Sequence, residues 1–241
     1  MQSSKEYWEK AVPMTFSDKP EMTYEQKRKF RYDLQDYMRD VIPFKNYRGK
    51  RVIELGFGSG IDSIEFARNG AHVTAYDFTA KAFLQASKNL KQSRVWGVTF
   101  VQYDLNHFSE INMKEKSVDL IYSFGVLHHI ENPEPIIQKC SKLLTDSGRM
   151  IVMLYNRDSL LYSYSIEHLK QSTERIDGCP YTKAYTGTEA LELFAKYFRK
   201  VSCNTFYNVI DMSAQRKVKL NIPNQLGLGW HHIIKCSDPL P

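Results

Sequence analysis

Short apolar segments alternate with amphipathic stretches along the middle of the chain. Five of these segments have the length and composition of β-strands: Arg51–Leu55, His72–Tyr76, Val98–Tyr103, Val118–Ser123 and Arg149–Tyr155. Most of the stretches between them are long enough for one helix, and Gly70 and the Ser147-Gly148 pair mark two helix ends. Strands that alternate with helices in this way predict right-handed crossovers and a parallel α/β sheet.

The chain before and directly after this region has a different pattern. Thr23–Asp40 starts with a capping box formed by Thr23 and Gln26, and it predicts one helix that ends before Pro43. Residues 156–185 are rich in tyrosine and not strongly periodic, and they are too many for an ordinary connection in such a sheet. We expect both segments to cover the open end of the sheet.

Regular structure resumes towards the end of the chain. Thr186–Phe198 predicts a capped helix, and the strands Lys200–Phe206 and Trp230–Cys236 follow without a helix between them. Two strands joined in this way predict an antiparallel pair at a sheet edge. The expected organisation is one domain with an N-terminal helical cap (1–45), a core (46–155), a cap insertion (156–185) and a C-terminal helix with an edge hairpin (186–241).

The composition is that of a globular protein with a sizeable core, since 42% of the 241 residues are hydrophobic. The longest apolar candidate, Met150–Tyr155, is too short to cross a membrane, and Met1–Lys10 has no apolar signal-peptide centre. The four cysteines are Cys140, Cys179, Cys203 and Cys236. Because they are scattered, we expect reduced thiols in a cytoplasmic protein, with neither disulfides nor a metal site.

The net charge of +6 is carried by the two ends of the chain, while the basic and acidic residues of 51–150 balance. The densest basic cluster, Arg216-Lys217-Val218-Lys219, is shorter than the like-charge blocks typical of nucleic-acid-binding tails. We interpret it as a solvated loop, with contact to a polyanion as the alternative.

A glycine-rich turn, Gly56-Phe57-Gly58-Ser59-Gly60, connects the first strand to the next helix. Such a turn brings backbone close to a ligand and presents the helix N-terminus to it. The dinucleotide fingerprint would place its third glycine at Ile61, so this turn departs from that pattern. Glu54 just before the turn is an awkward neighbour for a pyrophosphate and suits a positively charged ligand.

Carboxylates close the next two strands. Asp77 follows the second strand, where an acid can accept both ribose hydroxyls, and Asp104 follows the third, where it can accept from a purine amine. Each aspartate alone has a structural alternative as a turn or helix-capping residue. Together with Glu54, they predict a ligand site at the carboxyl ends of the strands.

These residues resemble class I S-adenosylmethionine-dependent methyltransferases over about residues 45–155. The resemblance is carried by Val52–Gly60, Tyr76-Asp77, Tyr103-Asp104-Leu105, Val118–His129 and Leu143–Met150. It implies a Rossmann-like sheet of seven strands, mostly parallel with an antiparallel last strand, with helices on both faces and an N-terminal helical cover. Phe57 departs from the family, which more often has a small residue or cysteine there.

The resemblance also implies roles for individual residues towards the methyl donor, S-adenosylmethionine. Gly56, Gly58 and Gly60, with Phe57 in the same turn, would line its methionine part, and Glu54 would lie near its amino group. Asp77 would hold the ribose, Asp104 and Leu105 would contact the adenine, Phe78 would pack on the adenine face, and Ser123 would lie beneath the sulfonium.

His128 and His129 follow the fourth strand, next to the expected position of the methyl group. One of them could act as a general base for a hydroxyl acceptor, because histidine titrates near neutral pH. The alternative is a structural or cofactor-shaping pair. For the acceptor pocket we select five residues by position: Arg31, Tyr32, Tyr155, Asn156 and Arg157.

The function predicted from the sequence is methyl transfer from S-adenosylmethionine to an oxygen, nitrogen or sulfur atom of a small molecule, by a monomer or homodimer. The alternatives are an RNA, DNA or protein methyltransferase, a nicotinamide oxidoreductase, and a catalytically silent donor-binding protein. A nucleic acid is not the expected acceptor, because Ser123-Phe124-Gly125-Val126 replaces the Asn/Asp-Pro-Pro-aromatic turn of base-amine methyltransferases, and no RNA-binding module is appended.

Overall fold

Seven strands form one sheet in the part of the chain that this computed structural model describes, residues 4–11, 22–167, 179–207 and 223–240. The strands are β1 Arg51–Leu55, β2 His72–Asp77, β3 Val98–Gln102, β4 Val118–Phe124, β5 Leu144–Tyr155, β6 Phe198–Phe206 and β7 His231–Pro239. Their order is β3-β2-β1-β4-β5-β7-β6. The neighbours from β3 to β5 are parallel, and β7 is antiparallel to both β5 and β6. The predicted sheet, with its antiparallel last strand, is confirmed.

The helices lie on both faces of this sheet. They are α1 Ser4–Ala11, α2 Tyr24–Leu34, α3 Met38–Val41, α4 Ile61–Arg68, α5 Ala80–Ser93, α6 Glu134–Leu143, α7 Leu160–Glu167 and α8 Gly187–Ala195. Side chains alternate across a strand, so Val52 of β1 packs in one core with Phe66 of α4, whereas Ile53 packs in a second core with Ile137 of α6. Each face therefore has its own apolar core.

The helices α1 and α2 attach to the face that carries α4 and α5. The Glu9 carboxylate of α1 accepts hydrogen bonds from the Ala80 and Lys81 backbone nitrogens, at 2.9 and 3.2 Å, and so caps the start of α5. An acidic side chain is favourable at that position because of the free N–H groups and the helix dipole. On α2, Arg28 forms an ion pair with Glu65 of α4.

Two elements differ substantially from those predicted, whereas the bounds of the other predicted strands and of the helix after Thr186 shift by at most three residues. The helix predicted over Thr23–Asp40 is two helices, because Gln35 leaves helical geometry and its side chain accepts a hydrogen bond from buried Arg31. The fifth strand starts at Leu144 rather than Arg149, and its pairing with β4 shifts register after Val118. The Ser147-Gly148 pair therefore lies within an irregular start of β5 and does not end α6.

Some sequence features lie outside the described residues, namely the cluster Arg216-Lys217-Val218-Lys219 and residues 168–178 of the predicted cap insertion. Among the helices that are described, none has both the length and the apolar character needed to cross a membrane.

Candidate active site

A cavity of about 480 Å³ opens at the carboxyl ends of the parallel strands, the edge where doubly wound sheets bind their ligands. What we call the glycine half lies at the ends of β1, β2 and β3 and is lined by Glu54, Gly56, Phe57, Gly58, Ser59, Asp77, Phe78, Asp104, Leu105 and Asn106. What we call the aromatic half lies towards β4, β5, β6 and β7 and is lined by Arg31, Gln35, Phe124, Met153, Tyr155, Tyr207 and His231. Trp8, Asp62, His129, Glu131 and Tyr181 also line the cavity.

The glycine turn has a backbone shape that other residues would not tolerate. Gly56 has a φ of +78°, and a Cβ atom there would lie 2.1 Å from Cγ2 of Val126. Gly58 also has a positive φ, but a Cβ atom there would meet nothing within 4 Å. The turn therefore packs tightly behind Gly56 and leaves open space in front of Gly58, which allows a ligand to approach the backbone closely.

Asp77 holds the glycine turn as well as lining the cavity. Its Oδ2 accepts from the Gly58 backbone nitrogen at 3.0 Å, and its Oδ1 accepts from the Thr79 nitrogen and hydroxyl at 3.0 and 2.9 Å. The side chain is only 8% exposed, and burial raises its pKa although these hydrogen bonds oppose the rise. Asp77 is thus fixed in position at the end of β2.

Glu54 is more deeply buried, at 3% exposure, and its carboxylate accepts a hydrogen bond from the Ser63 hydroxyl. Burial raises the pKa of Glu54 well above its usual value, and the nearby Asp62 and Asp77 carboxylates raise it further. Asp104 is different, since it is exposed and its Oδ1 accepts from the Asn106 backbone nitrogen at 2.9 Å. Asp104 therefore also caps the short 3-10 helix that follows it, which was the alternative role considered from the sequence.

A buried ion pair connects the N-terminal cover to the cavity wall. Nη2 of Arg31 donates to Oδ2 of Asp62 at 2.8 Å, and the hydroxyls of Tyr32 and Tyr122 donate to the same carboxylate at 3.0 and 2.9 Å. The Arg31 guanidinium also lies 4.5 Å from the centre of the Phe124 ring, a cation–π contact. This network fixes Arg31 of α2 against Asp62 of α4.

The two adjacent histidines occupy different environments. His129 lines the cavity, and its Nδ1 lies 3.1 Å from the Tyr181 carbonyl oxygen. Nδ1 lies equally close, at 3.1 Å, to the Thr182 hydroxyl, which can donate or accept; if Nδ1 donates to the Tyr181 carbonyl, Nε2 is the basic nitrogen. His128 is fully buried and its ring centre lies 3.8 Å from that of Tyr155. Burial lowers its pKa well below the usual value, so His128 is neutral.

Other predicted site residues lie behind the cavity wall. The Ser123 hydroxyl is buried and donates to the Leu55 carbonyl at 3.3 Å. Gly60 adopts the left-handed conformation before α4. Tyr32 is buried against Asp62. None of these three is among the residues that line the cavity in the described chain.

Asn156 and Arg157, both selected for the acceptor pocket, are placed elsewhere as well. The Asn156 amide donates to the Gly227 and Gly229 carbonyls, both at 2.8 Å, and so holds the connection that leads into β7. Arg157 pairs with Glu189 at the start of α8, at 2.9 Å. The Asn156 side chain therefore binds backbone carbonyls and the Arg157 side chain binds a residue at the start of α8, and neither lines the cavity.

Several residues that line the cavity were not predicted from the sequence patterns. Asp62 lies one residue inside α4, where an aspartate is common as a helix-start residue. His231 is the first residue of β7, and Tyr207 follows β6. Their positions at strand ends could have indicated the cavity once the antiparallel order was assumed.

A family model described as "Methyltransferase domain" matches residues 46–202. A ubiquinone biosynthesis O-methyltransferase from Glaesserella parasuis serovar 5 is 34% identical over 117 residues, which cover 47% of this chain and 49% of that protein. The chain therefore spans about half the length of the curated relatives it matches.

Solved structures resemble the fold over most of the chain. A protein from Pyrococcus horikoshii OT3 covers 97% of this chain and 99% of its own, with a TM-score of 0.66 and 15% identity. An S-adenosylmethionine-dependent methyltransferase from Mesorhizobium loti covers 88% and 98%, with a TM-score of 0.60 and 15% identity. At this level of identity the likeness is one of fold.

Proposed function

Because this chain belongs to the methyltransferase-domain family, we propose that it transfers a methyl group from S-adenosylmethionine to a small-molecule acceptor. The core 46–155 would take the donor, and the segments on either side of it would complete the acceptor pocket. The observation that carries the proposal is the charge of the cavity wall beside the glycine turn.

Carboxylates dominate that wall. Glu54, Asp62, Asp77, Asp104 and Glu131 line the cavity, and Arg31 is the one lysine or arginine among its lining residues in the described chain. Arg31 is already paired with Asp62. The remaining carboxylates favour a ligand with positive charges, and S-adenosylmethionine carries a sulfonium and an ammonium. A dinucleotide with a pyrophosphate would be repelled.

The residues of the glycine half fit the parts of this donor. Gly56, Phe57 and Gly58 would line its methionine part, where the open space before Gly58 allows close backbone contact. Glu54 would face the ammonium. Asp77 would accept from the ribose hydroxyls with the lone pairs that Gly58 and Thr79 leave unused.

The adenine would lie at the far end of the glycine half. Leu105 is buried at the end of β3 and Phe78 follows β2, so both offer apolar surface to a purine. Asp104 would accept from its exocyclic amine. Gly60 and Ser123 would act from behind the wall, by shaping the turn and by holding the end of β4 against β1.

The donor, when bound, supplies an electrophilic methyl group, so the chain has mainly to position the acceptor and exclude water. We propose a hydroxyl acceptor, because the matched relatives are named O-methyltransferases. Nε2 of His129 is buried, so we propose that the side chains covering it move when the acceptor binds; Nε2 would then accept the hydroxyl proton, and the Tyr181 carbonyl would keep the required tautomer. His128 would support His129 and Tyr155 by packing.

Arg31 and Tyr155 are the predicted acceptor residues that line the cavity, and we propose that they contact the acceptor. A cytoplasmic location and a monomeric or homodimeric state remain part of the proposal. The free thiols of Cys140, Cys203 and Cys236 support a reducing compartment.

Calorimetry with S-adenosylmethionine tests the donor site. Asp77→Asn removes a charge and one acceptor oxygen, and charge-assisted hydrogen bonds contribute about 1.5–3 kcal/mol, so we expect donor affinity to fall at least about tenfold. Asp119→Asn is the matched control. The Asp119 carboxylate of β4 also accepts from a backbone nitrogen, that of Arg51, but this nitrogen is at the end of β1 away from the cavity. Wild-type protein that does not bind the donor, or equal affinities for both variants, would refute the proposed site.

A further inference from the structure

A second concave site lies at the amino ends of the parallel strands, at the opposite end of the sheet from the cavity. It is a groove of about 380 Å³ whose walls come from β1, β2, β3 and the connection that leads into β4. We propose that this groove binds a phosphate monoester, a small organic molecule whose phosphate group is held by Arg51 and His72. The proposal goes beyond methyl transfer and does not depend on it.

The register of the strands places four polar side chains of the groove next to one another. Arg51 of β1 is paired with His72 of β2, and Thr74, two residues further along β2, is paired with Thr99 of β3. Paired residues of parallel strands lie on the same face, as do residues two apart in one strand. Neighbouring strands are about 4.8 Å apart, and residues i and i+2 are about 6.6 Å apart. The four side chains are therefore close enough to bind one phosphate group together.

Gly97 leaves space beside these side chains. It lines the groove just before β3, and its carbonyl accepts from the Val73 nitrogen at 2.7 Å, next to His72. Its φ is +92°, and a Cβ atom there would lie 3.1 Å from the Ala71 carbonyl oxygen. The backbone therefore favours glycine at this position, and no side chain fills the groove on the β3 side of His72.

The polar side chains of the groove have no partner within the described chain. The Arg51 guanidinium forms no ion pair there, and neither the His72 ring nor the hydroxyls of Thr74 and Thr99 has a hydrogen-bond partner in it. A guanidinium presents its N–H donors in a planar fork that matches phosphate oxygens, and threonine hydroxyls donate as well. These donors are thus available to an anionic ligand.

The charge of the groove also favours an anion. No carboxylate is among the residues that line it in the described chain. Asp119 of β4 lies next to Arg51, but its carboxylate accepts from the Arg51 backbone nitrogen at 2.8 Å and lies 3.7 Å from Nζ of Lys50. The groove therefore attracts ligands of the opposite charge to those that the acidic cavity attracts.

The other lining residues would hold the organic part of the ligand. Ile53 and Val118 are buried and Met113 is half-buried, so they offer apolar surface. The Ser117 hydroxyl adds no donor, because it already donates to the Lys114 carbonyl at 2.5 Å. A phosphate group brings three acceptor oxygens to the donors of the groove, whereas a carboxylate brings two. A phosphate monoester therefore matches both the polar and the apolar side of the groove.

An NMR titration of the full chain at low salt tests the groove, with phenyl phosphate, inorganic phosphate, benzoate and benzyl alcohol as probes. Low salt is needed because ions screen exposed charges. We expect phenyl phosphate to bind at least about fivefold more tightly than each of the other probes. Its signals should appear at the backbone amides of Gly97 and Thr99 and at the Met113 methyl group, and those of Gly56 and Gly58 should not shift.

Two variants separate contacts within the groove from the general effect of charge. Arg51→Gln removes a charge-assisted contact and should weaken phenyl phosphate about tenfold, and Thr99→Val should weaken it about fivefold. Arg94→Gln is the matched control, because Arg94 is an exposed arginine between α5 and β3 that does not line the groove. It should change the affinity by less than about twofold.

The proposal is overturned if any of the three comparison probes binds as tightly as phenyl phosphate, or if the groove signals do not shift. It is also overturned if Arg51→Gln behaves like Arg94→Gln. The affinity for S-adenosylhomocysteine should be equal in wild type and Arg51→Gln, because Arg51 is at the end of β1 away from the cavity. A protein that binds phenyl phosphate but not S-adenosylhomocysteine would retain the groove and lose the proposed methyl transfer.

Discussion

Glu54 is a carboxylic acid in a place where its ionised form is poorly solvated. It is buried at the end of β1, and the carboxylates of Asp62 and Asp77 add repulsion. Ser63 donates a hydrogen bond and Arg31 attracts the charge, but burial is the larger effect and the pKa is raised well above the usual value. A ligand that brings a positive charge next to Glu54 would reverse this balance.

Donor binding should therefore depend on pH. In the free protein Glu54 is protonated below its raised pKa, whereas beside the donor ammonium its ionised form is favoured. Binding thus releases a proton, and affinity should rise as pH increases through the free-protein pKa of Glu54. Calorimetry between pH 5 and 8, in buffers of different ionisation enthalpy, measures the affinity and the number of protons released.

Glu54→Gln should make this dependence shallower and weaken binding most at the higher pH values. Glu131→Gln is the control, because Glu131 also lines the cavity but is exposed. An unchanged pH dependence in Glu54→Gln would show that another group is responsible. Asp77, whose pKa is also raised, would be the next candidate.

Sequence patterns located some side chains of the cavity wall and not others. Glu54, Asp77 and Asp104 follow strands whose direction is set by the alternating pattern, so their place at one edge could be predicted. Asn156 and Arg157 also follow a strand, yet their side chains turn to the Gly227 and Gly229 carbonyls and to Glu189. These hydrogen-bond partners are close in space but far along the sequence, so the spacing of residues does not predict them.

The elements α2 and α4 are joined by the Arg31–Asp62 pair, and this junction sets one wall of the cavity. Both side chains are about 6% exposed, and two tyrosine hydroxyls complete the hydrogen bonding of the carboxylate. A buried charge without its partner is strongly unfavourable, although the intact pair contributes little compared with apolar residues of similar size. The contribution of the junction therefore depends on both members being present.

Removing one member should be much worse than removing both. We expect Arg31→Met or Asp62→Leu alone to lower the free energy of unfolding by about 3–5 kcal/mol, and the double variant to lose clearly less than the sum. Urea unfolding of the four proteins gives the coupling. The exposed pair Lys116–Asp146 is the control, and Lys116→Met should cost less than about 1 kcal/mol. If Arg31→Met is as mild as that control, the junction is not a buried ion pair in solution.

The same junction explains why the predicted Thr23–Asp40 helix is interrupted. The capping box at Thr23 and Gln26 identified the start correctly. The end is set by Gln35, whose side chain is drawn to Arg31, a tertiary contact that local helix propensity does not contain. By contrast, the sheet order could be anticipated, because the parallel strands and the helix-free final pair leave few topologies.

Across the whole molecule, the net charge and the charge of the cavity have opposite signs. The chain carries +6, but the described residues that line the cavity include five carboxylates and one guanidinium. The basic excess therefore lies elsewhere, and it does not by itself indicate a polyanionic ligand. The fold concentrates acids at the ends of β1, β2 and β3, where a cationic donor would bind and an anionic dinucleotide would not.

Ligands should accordingly shift the stability of the whole chain selectively. A ligand that binds the folded protein at 100 times its Kd adds about 2.7 kcal/mol, and for a chain of this length each 1 kcal/mol raises Tm by about 2–4 °C. We therefore expect S-adenosylmethionine and S-adenosylhomocysteine to raise Tm by about 5–10 °C, as followed by circular dichroism. NADH at the same concentration should cause no shift, because its pyrophosphate would face Glu54 and Asp77. A comparable shift with NADH would instead support a nicotinamide oxidoreductase. It would mean that the site binds a pyrophosphate despite the carboxylates of Glu54 and Asp77.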